Sequence, residues 1–228
     1  MCGRFALTLP TDAVAEWFGA EIRVSFERAR YNISPSQQIP VVVEYEGTRH
    51  LSEMRWGFIP HWFKNPSDGS LLINARSETI HEKPAFRSAF AKRRCLIPAS
   101  GFYEWHREKG VGKEPYFIQA KSGAPMAFGA IWQAWTNPVD QARWVTVAIA
   151  TTAARKTIAD VHHREPVMLE QDDFEPWLRG TPNEAQALTQ AEHGGEIAAF
   201  RVGKEVNSAR HDHPDLMKPL DGEEMGQA

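Results

Sequence analysis

Cysteine is scarce: Cys2 and Cys95 are the only two in 228 residues. Two thiols build neither a disulfide framework nor a cysteine-based zinc finger. No run of about 18 apolar residues occurs, which excludes a membrane-spanning helix. The opening Met1-Cys2-Gly3-Arg4-Phe5 lacks the apolar stretch of a secretory signal, so the expected home is a reducing cytoplasm, where a thiol at position 2 survives. Internal repeats, a Gly-rich phosphate loop, a Gly-x-Ser-x-Gly elbow and a His-Glu-x-x-His helix are also missing. An overall excess of positive charge is lacking too, the formal net charge being -3.

That average hides an asymmetry. Residues 170–228 hold 13 acidic and 5 basic side chains, leaving 21 basic and 16 acidic in residues 1–169. Arg76, Lys83, Arg87, Lys92, Arg93 and Arg94 stand close together against only Glu78 and Glu82. Such a cluster suits phosphates, and it equally suits a solvated helix face.

Residues 11–19 read as a short amphipathic helix with Thr11 as N-cap and Val14, Trp17 and Phe18 on one face. Residues 31–40 and 60–70 read as loops, the second holding Trp62 and Phe63. Runs 39–45 and 50–58 flank Glu46-Gly47-Thr48-Arg49 as a hairpin. Strands are expected at 95–98, 101–107, 115–120, 126–135, 143–152 and 197–202, and helices at 84–92, 172–178 and 183–192. Many short strands with few helices argue for an α+β fold. Its core is expected to be a mainly antiparallel sheet forming an open barrel, with short helices at the periphery. One domain is expected over 1–218 and a flexible tail over 219–228.

Cys2 is the most reactive candidate. Removal of Met1 would leave an α-amine and a thiol on adjacent carbons. An α-amine has a pKa of about 7.7–8, so it is appreciably neutral near pH 7 and attacks aldehydes to give imines. The thiol then closes a thiazolidine ring. The plain alternative is an incidental cysteine.

Glu104 lies in Gly101-Phe102-Tyr103-Glu104-Trp105, where alternation puts Phe102 and Glu104 on one strand face. Aromatic neighbours would desolvate the carboxyl and raise its pKa; the alternative is a solvent-facing strand position. Asn74 leaves an apolar run either as a turn former or as an orienting hydrogen-bond group. His162 and His163, set on opposite faces of a strand, would be poor chelators; one of them beside Arg164 suits acid/base or electrostatic work. Cys95 reads as an inert core thiol. Trp62 and Phe63 are either exposed stacking aromatics or a folded-back lid.

In this order the signals resemble the SOS-response-associated peptidase (SRAP) family, whose members attach covalently to abasic sites in single-stranded DNA. The matching stretches are Met1-Cys2-Gly3-Arg4-Phe5, Tyr31-Asn32-Ile33-Ser34-Pro35, Arg55-Trp56-Gly57-Phe58-Ile59-Pro60 and Ile73-Asn74-Ala75-Arg76-Ser77-Glu78-Thr79. Later come the run from Arg94 through Phe102-Tyr103-Glu104-Trp105, then Thr151-Thr152-Ala153-Ala154, His162-His163-Arg164-Glu165-Pro166 and Val206-Asn207-Ser208.

The resemblance implies a catalytic set of Cys2, Asn74, Glu104 and His162. It implies DNA contacts at Arg4, Asn32, Pro35, Trp62, Phe63, Arg76, Thr151 and Arg164. It further implies no metal or cofactor, a monomer, single-stranded DNA bearing abasic sites as partner, contact with replication-associated proteins and, in a bacterium, a place at the nucleoid. Two residues depart from the family pattern. His163 stands where a polar residue such as Asp is usual, and alignment on Arg164 and Pro166 selects His162 as the acting histidine. Glu165 would add a negative charge near the DNA groove. A peptidase with an N-terminal cysteine nucleophile, with removal of its own Met1 as a candidate sole turnover, is the competing enzyme class. A non-catalytic single-strand-binding module is the third reading.

Overall fold

A run of short strands, broken by turns and brief helices, dominates the computed structural model, which describes residues 2–108, 112–189 and 195–220. In chain order the elements are β1 (Phe5–Leu7), α1 (Thr11–Phe18), β2 (Ala20–Ile22), β3 (Arg30–Ile33), β4 (Gln38–Tyr45), β5 (Thr48–Trp56) and β6 (Asn74–Arg76). There follow α2 (Arg87–Lys92), β7 (Arg94–Ala99), β8 (Gly101–Glu108), β9 (Gly112–Ala120), β10 (Met126–Thr136), β11 (Arg143–Ala153) and α3 (Lys156–Ala159). The last are β12 (Arg164–Pro166), β13 (Met168–Leu169), α4 (Phe174–Arg179), α5 (Pro182–Leu188) and β14 (Ile197–Arg201).

β11, β10, β7, β4 and β5 pair antiparallel in that order. β5 then returns to β11 through a short parallel seam, Thr146 with Arg55 and Val147 with Trp56, closing a five-stranded barrel. β2, β6, β12 and β13 attach to its strands. A second, antiparallel sheet runs β14-β9-β8-β1-β3. The α+β architecture built on a mainly antiparallel barrel, with short helices outside it, is as the sequence led one to expect.

Strand alternation divides the second sheet between two cores. Phe5 and Phe102 face the barrel, where Phe5 meets Trp56 at 5.3 Å and Phe102 meets Phe128 at 5.8 Å between ring centroids. Ala6, Tyr103 and Phe117 face the other way, joining Phe200, Val206 and Leu216 in a smaller cluster. Each buried Phe contributes about 1.5–3 kcal/mol. β8 crosses β9 closely at Gly101, where an added Cβ would lie 2.6 Å from the Ile118 carbonyl and strike the Phe117 ring.

Some local expectations change. Residues 31–40 are not all loop, because Arg30–Ile33 pairs with β1. Pro10, not Thr11, occupies the N-cap of α1; the Thr11 hydroxyl instead bonds both the N–H and the carbonyl of Phe26, each at 3.0 Å. The hairpin turns on Glu46 and Gly47 alone, both at positive φ (51° and 83°), so β5 begins earlier than the sequence suggested. The helix expected at 172–178 divides into a 3-10 turn, Gln171–Asp173, and α4. The chain remains paired as far as Leu220, whose N–H donates to the Arg201 carbonyl at 3.0 Å; residues 221–228 and the end of the helix expected at 183–192 lie outside the described residues. Among the described residues no helix is long and apolar enough to cross a membrane.

Candidate active site

β1 begins three residues after Cys2, and its pairing with β8 and β3 fixes the chain beside that residue. Cys2 is fully buried, with its Sγ 3.9 Å from the Arg4 carbonyl. Burial, and secondarily the neighbouring charge of Glu104, push the thiol far above its ordinary pKa. Asn74 opens β6, which runs parallel beside β11, and its Nδ2 donates to the Cys2 carbonyl at 2.9 Å. The buried Oδ1 of the same amide has no hydrogen-bond partner among the described residues.

Glu104 follows Phe102 on the barrel-facing side of β8 and is only 3% exposed, so the solvent-facing alternative falls away. Burial raises its carboxyl above the usual carboxylate range. The Nδ1 of His162 stands 3.9 Å from Glu104 Oε1. The Arg164 N–H donates to that same Nδ1 at 3.0 Å. The Arg164 carbonyl is also near, at 3.1 Å, but it would need a proton on Nδ1. The direction of the backbone N–H is fixed, so Nδ1 is the acceptor and the neutral ring carries its proton on Nε2.

His163 does not point to the opposite face of a strand, as the sequence suggested. The histidines lie in the bend before β12, and their rings stack with centroids 4.4 Å apart. Repulsion from His162, with a smaller contribution from desolvation, lowers the pKa of the exposed His163. Glu104, Trp105, Lys113, His162 and His163 line one groove of about 590 Å³. Trp105 is held there by a 2.6 Å bond from Nε1 to Asn207 Oδ1, with the Arg4 guanidinium 6.0 Å from its ring.

The residues expected to meet DNA divide by exposure. Trp62 is 47% exposed and Arg76 is exposed. Phe63 and Pro35 are half-buried, and the Phe63 carbonyl accepts from Trp135 Nε1 at 2.8 Å. Arg4 donates to Asn32 Oδ1 at 2.6 Å and to the Val206 carbonyl at 2.8 Å. Buried Asn32 in turn donates to the carbonyls of Ser208 (3.0 Å) and His211 (2.7 Å). Arg4 and Asn32 therefore clasp the 206–211 segment, which carries Asn207. Thr151 is buried in β11, and Arg164, also buried, grips Glu78 with both terminal nitrogens and the Thr151 carbonyl with one of them.

Two charge readings need correction. Arg94 leaves the basic cluster: its buried guanidinium bonds the carbonyls of Trp177, Gly180 and Phe90. Glu165 adds no charge to the groove, because it is 3% exposed and tied to the backbone N–H and Nε of Arg155 at 2.9 and 3.0 Å. The sequence alone assigns no role to Glu78, Arg155 or Asn207. Glu78 and Asn207 lie inside the family-like stretches, which is the available signal, whereas the reach of Arg155 back to Glu165 exists only in three dimensions. Among the described residues no group of three or more His, Cys, Asp or Glu side chains is arranged to hold a metal.

Comparison with known proteins shows what the chain is similar to. A profile of the SOS response associated peptidase (SRAP) family matches residues 1–209. The abasic site processing protein YoqW of Bacillus subtilis (strain 168) is 34% identical over 223 residues, covering 96% of this chain and 99% of its own. The abasic site processing protein YoaM of the same organism is 35% identical over 224 residues, covering 95% and 97%. A crystal structure of a Bacteroides thetaiotaomicron protein has a TM-score of 0.85 at 24% identity, covering 96% of this chain and 100% of that one; the likeness is one of fold.

Proposed function

The chain belongs to the SOS response associated peptidase family, and on that footing we propose that it processes abasic sites in single-stranded DNA by bonding to them through Cys2. The observation that carries this reading is the gathering of Asn74 and Glu104 about buried Cys2, with His162 beside Glu104.

The chemistry follows from the groups present. With Met1 removed, the Cys2 amine adds to the C1′ aldehyde of the ring-opened deoxyribose. Asn74 holds the Cys2 end through its amide, and Oδ1 is available to accept an amine N–H. The Nε2–H of His162 donates to the developing alkoxide. Burial raises the pKa of Glu104 and so favours its acid form, which gives its proton to the departing hydroxyl, so that the carbinolamine becomes an iminium ion and water leaves. The resulting carboxylate takes the thiol proton as sulfur adds to the iminium carbon. The ring that closes is a thiazolidine, which resists both hydrolysis and β-elimination of the strand.

A peptidase needs a thiolate as the first nucleophile, and burial makes that thiolate scarce. An amine-first reaction has no such requirement. Arg76 and Trp62, both exposed, would meet phosphate and base. Arg4, Asn32, Pro35, Phe63, Thr151 and Arg164 support the surface over which the strand runs.

The test is denaturing gel electrophoresis of the protein with single-stranded DNA carrying one abasic site, removal of Met1 being verified by intact mass. A denaturation-resistant band is expected. Its absence removes the aldehyde-bonding reading.

A further inference from the structure

Glu78 has no part in the chemistry above, yet it makes a two-pronged ion pair that spans the two flanks of the site. β6 and β12 are three residues each, and they lie along β11 with Arg76 and Pro166 both in register with Thr151. Asn74 begins β6, and His162 lies two residues before β12. Each piece has its own ties: the Ser77 N–H donates to the Thr151 carbonyl at 2.8 Å, the Ala154 N–H donates to the His163 carbonyl at 3.1 Å, and Glu165 of β12 accepts from Arg155, but none of these joins one piece to the other. From the β6 side, Glu78 reaches Arg164, which opens β12. Arg164 in turn bonds the Thr151 carbonyl between them and, through its own N–H, the His162 ring.

We infer that Glu78 is a positioning residue: its pairing with Arg164 locks the segments carrying Asn74 and His162 into one orientation across β11. The inference rests on the reading of those two residues as reacting groups. The Arg164 side chain is 9% exposed and Glu78 is 46% exposed, so the carboxylate caps a guanidinium that would otherwise be buried without a counter-charge. Arg164 holds the Glu78 carboxyl below the usual carboxylate range, so the pair is charged throughout neutral pH. Both terminal nitrogens of Arg164 are engaged, and its Nε is buried. This arrangement favours an internal tie over a phosphate contact at Arg164.

The experiment uses the Met1-processed full chain with Glu78→Gln, Glu78→Asp and, as a charge control, Glu82→Gln. Crosslinking to abasic single-stranded DNA is followed across DNA concentration, and the ¹⁵N signals of the His162 ring report which nitrogen carries the proton. Glu78→Gln is expected to lower the maximal rate about 10- to 100-fold, as misplaced reacting groups do. Half-saturation should stay within about twofold, the signature of a lost orienting interaction. The His162 ring should pass from one tautomer to a mixture. Glu78→Asp should restore part of the rate, and Glu82→Gln should behave as wild type. A wild-type maximal rate in Glu78→Gln overturns the inference. So does tighter DNA binding with a steeper salt dependence, which would make Arg164 a phosphate site for which Glu78 competes. Should the unsubstituted protein form no adduct, the abasic-site reading falls by itself. The His162 signals then decide alone, and a ring unchanged by Glu78→Gln overturns the positioning role.

Discussion

Asn74 and Cys2, 72 positions apart in sequence, are joined by a 2.9 Å hydrogen bond from the Asn74 amide to the Cys2 carbonyl. The same amide keeps a buried acceptor, Oδ1, without a partner among the described residues. Leaving such an atom unsatisfied costs about 1–3 kcal/mol. A site that takes up a donor during its reaction recovers that cost when the donor arrives.

Asn74→Ala therefore separates activity from stability. Adduct formation should slow about 100-fold, because the Cys2 end loses its anchor. Unfolding free energy should change by less than about 1 kcal/mol, since the lost bond is offset by removal of the unsatisfied oxygen. Crosslinking time courses and urea melts measure the two effects.

Cys2→Ala keeps the α-amine and removes the thiol. Its adduct should form and be trapped by borohydride, yet hydrolyse without reductant. A hydrolysis-stable adduct from Cys2→Ala would show that ring closure is not what preserves the linkage.

Glu104→Gln should cut the crosslinking rate about 10²–10⁴-fold, the usual contribution of a positioned acid/base. The pH dependence of stability offers an independent check. Burial raises the folded-state pKa of Glu104 above its unfolded value, so the native state holds the proton more tightly. Stability from this group is complete below the unfolded pKa of about 4.3 and is lost as pH rises through the folded value. Glu104→Gln should thus melt higher than wild type at alkaline pH, and the difference should vanish in acid. Thermal melts across pH would show it.

Loss of the His162 imidazole should slow crosslinking more than loss of His163. His162 lies 3.9 Å from Glu104 and is oriented by Arg164, whereas His163 is exposed and stacks on its neighbour. A larger loss in His163→Ala than in His162→Ala would reverse the assignment.

Arg94→Leu should lower stability by about 2–4 kcal/mol, because the carbonyls of Trp177, Gly180 and Phe90 lose a buried charged donor. Its affinity for single-stranded DNA should match wild type. A drop in affinity without loss of stability would return Arg94 to the DNA surface.

The parts that local pattern determines were legible in the sequence. Alternation placed Phe102 and Glu104 on one face and Tyr103 on the other, and the structure sends them to different cores. The longer strands were visible because each has enough alternating positions to show its period. β1, β3, β6 and β12 are three or four residues long, too short to show a period, and they exist because partners such as Phe102, Ile33 and Thr151 receive them. The basic cluster misled for a related reason: charge in sequence carries no direction, and Arg94 and Arg93, adjacent in the chain, differ in burial. Glu78 with Arg164 and Glu165 with Arg155 depend on chain reversals around β11 that no local pattern encodes.

The burial of Cys2 sets a schedule for maturation. A methionine aminopeptidase needs an extended N-terminus, but β1 is clasped by β8 and Cys2 is then fully enclosed. At about 5–20 residues per second, β8 is synthesised on the order of 5–20 s after translation begins and emerges from the ribosome later still. In the proposed chemistry, trimming of Met1 therefore competes with docking while the chain is being made. In the proposed chemistry, a molecule that folds first keeps its amine locked in a peptide bond, so the folding rate becomes a determinant of how much of the protein can react.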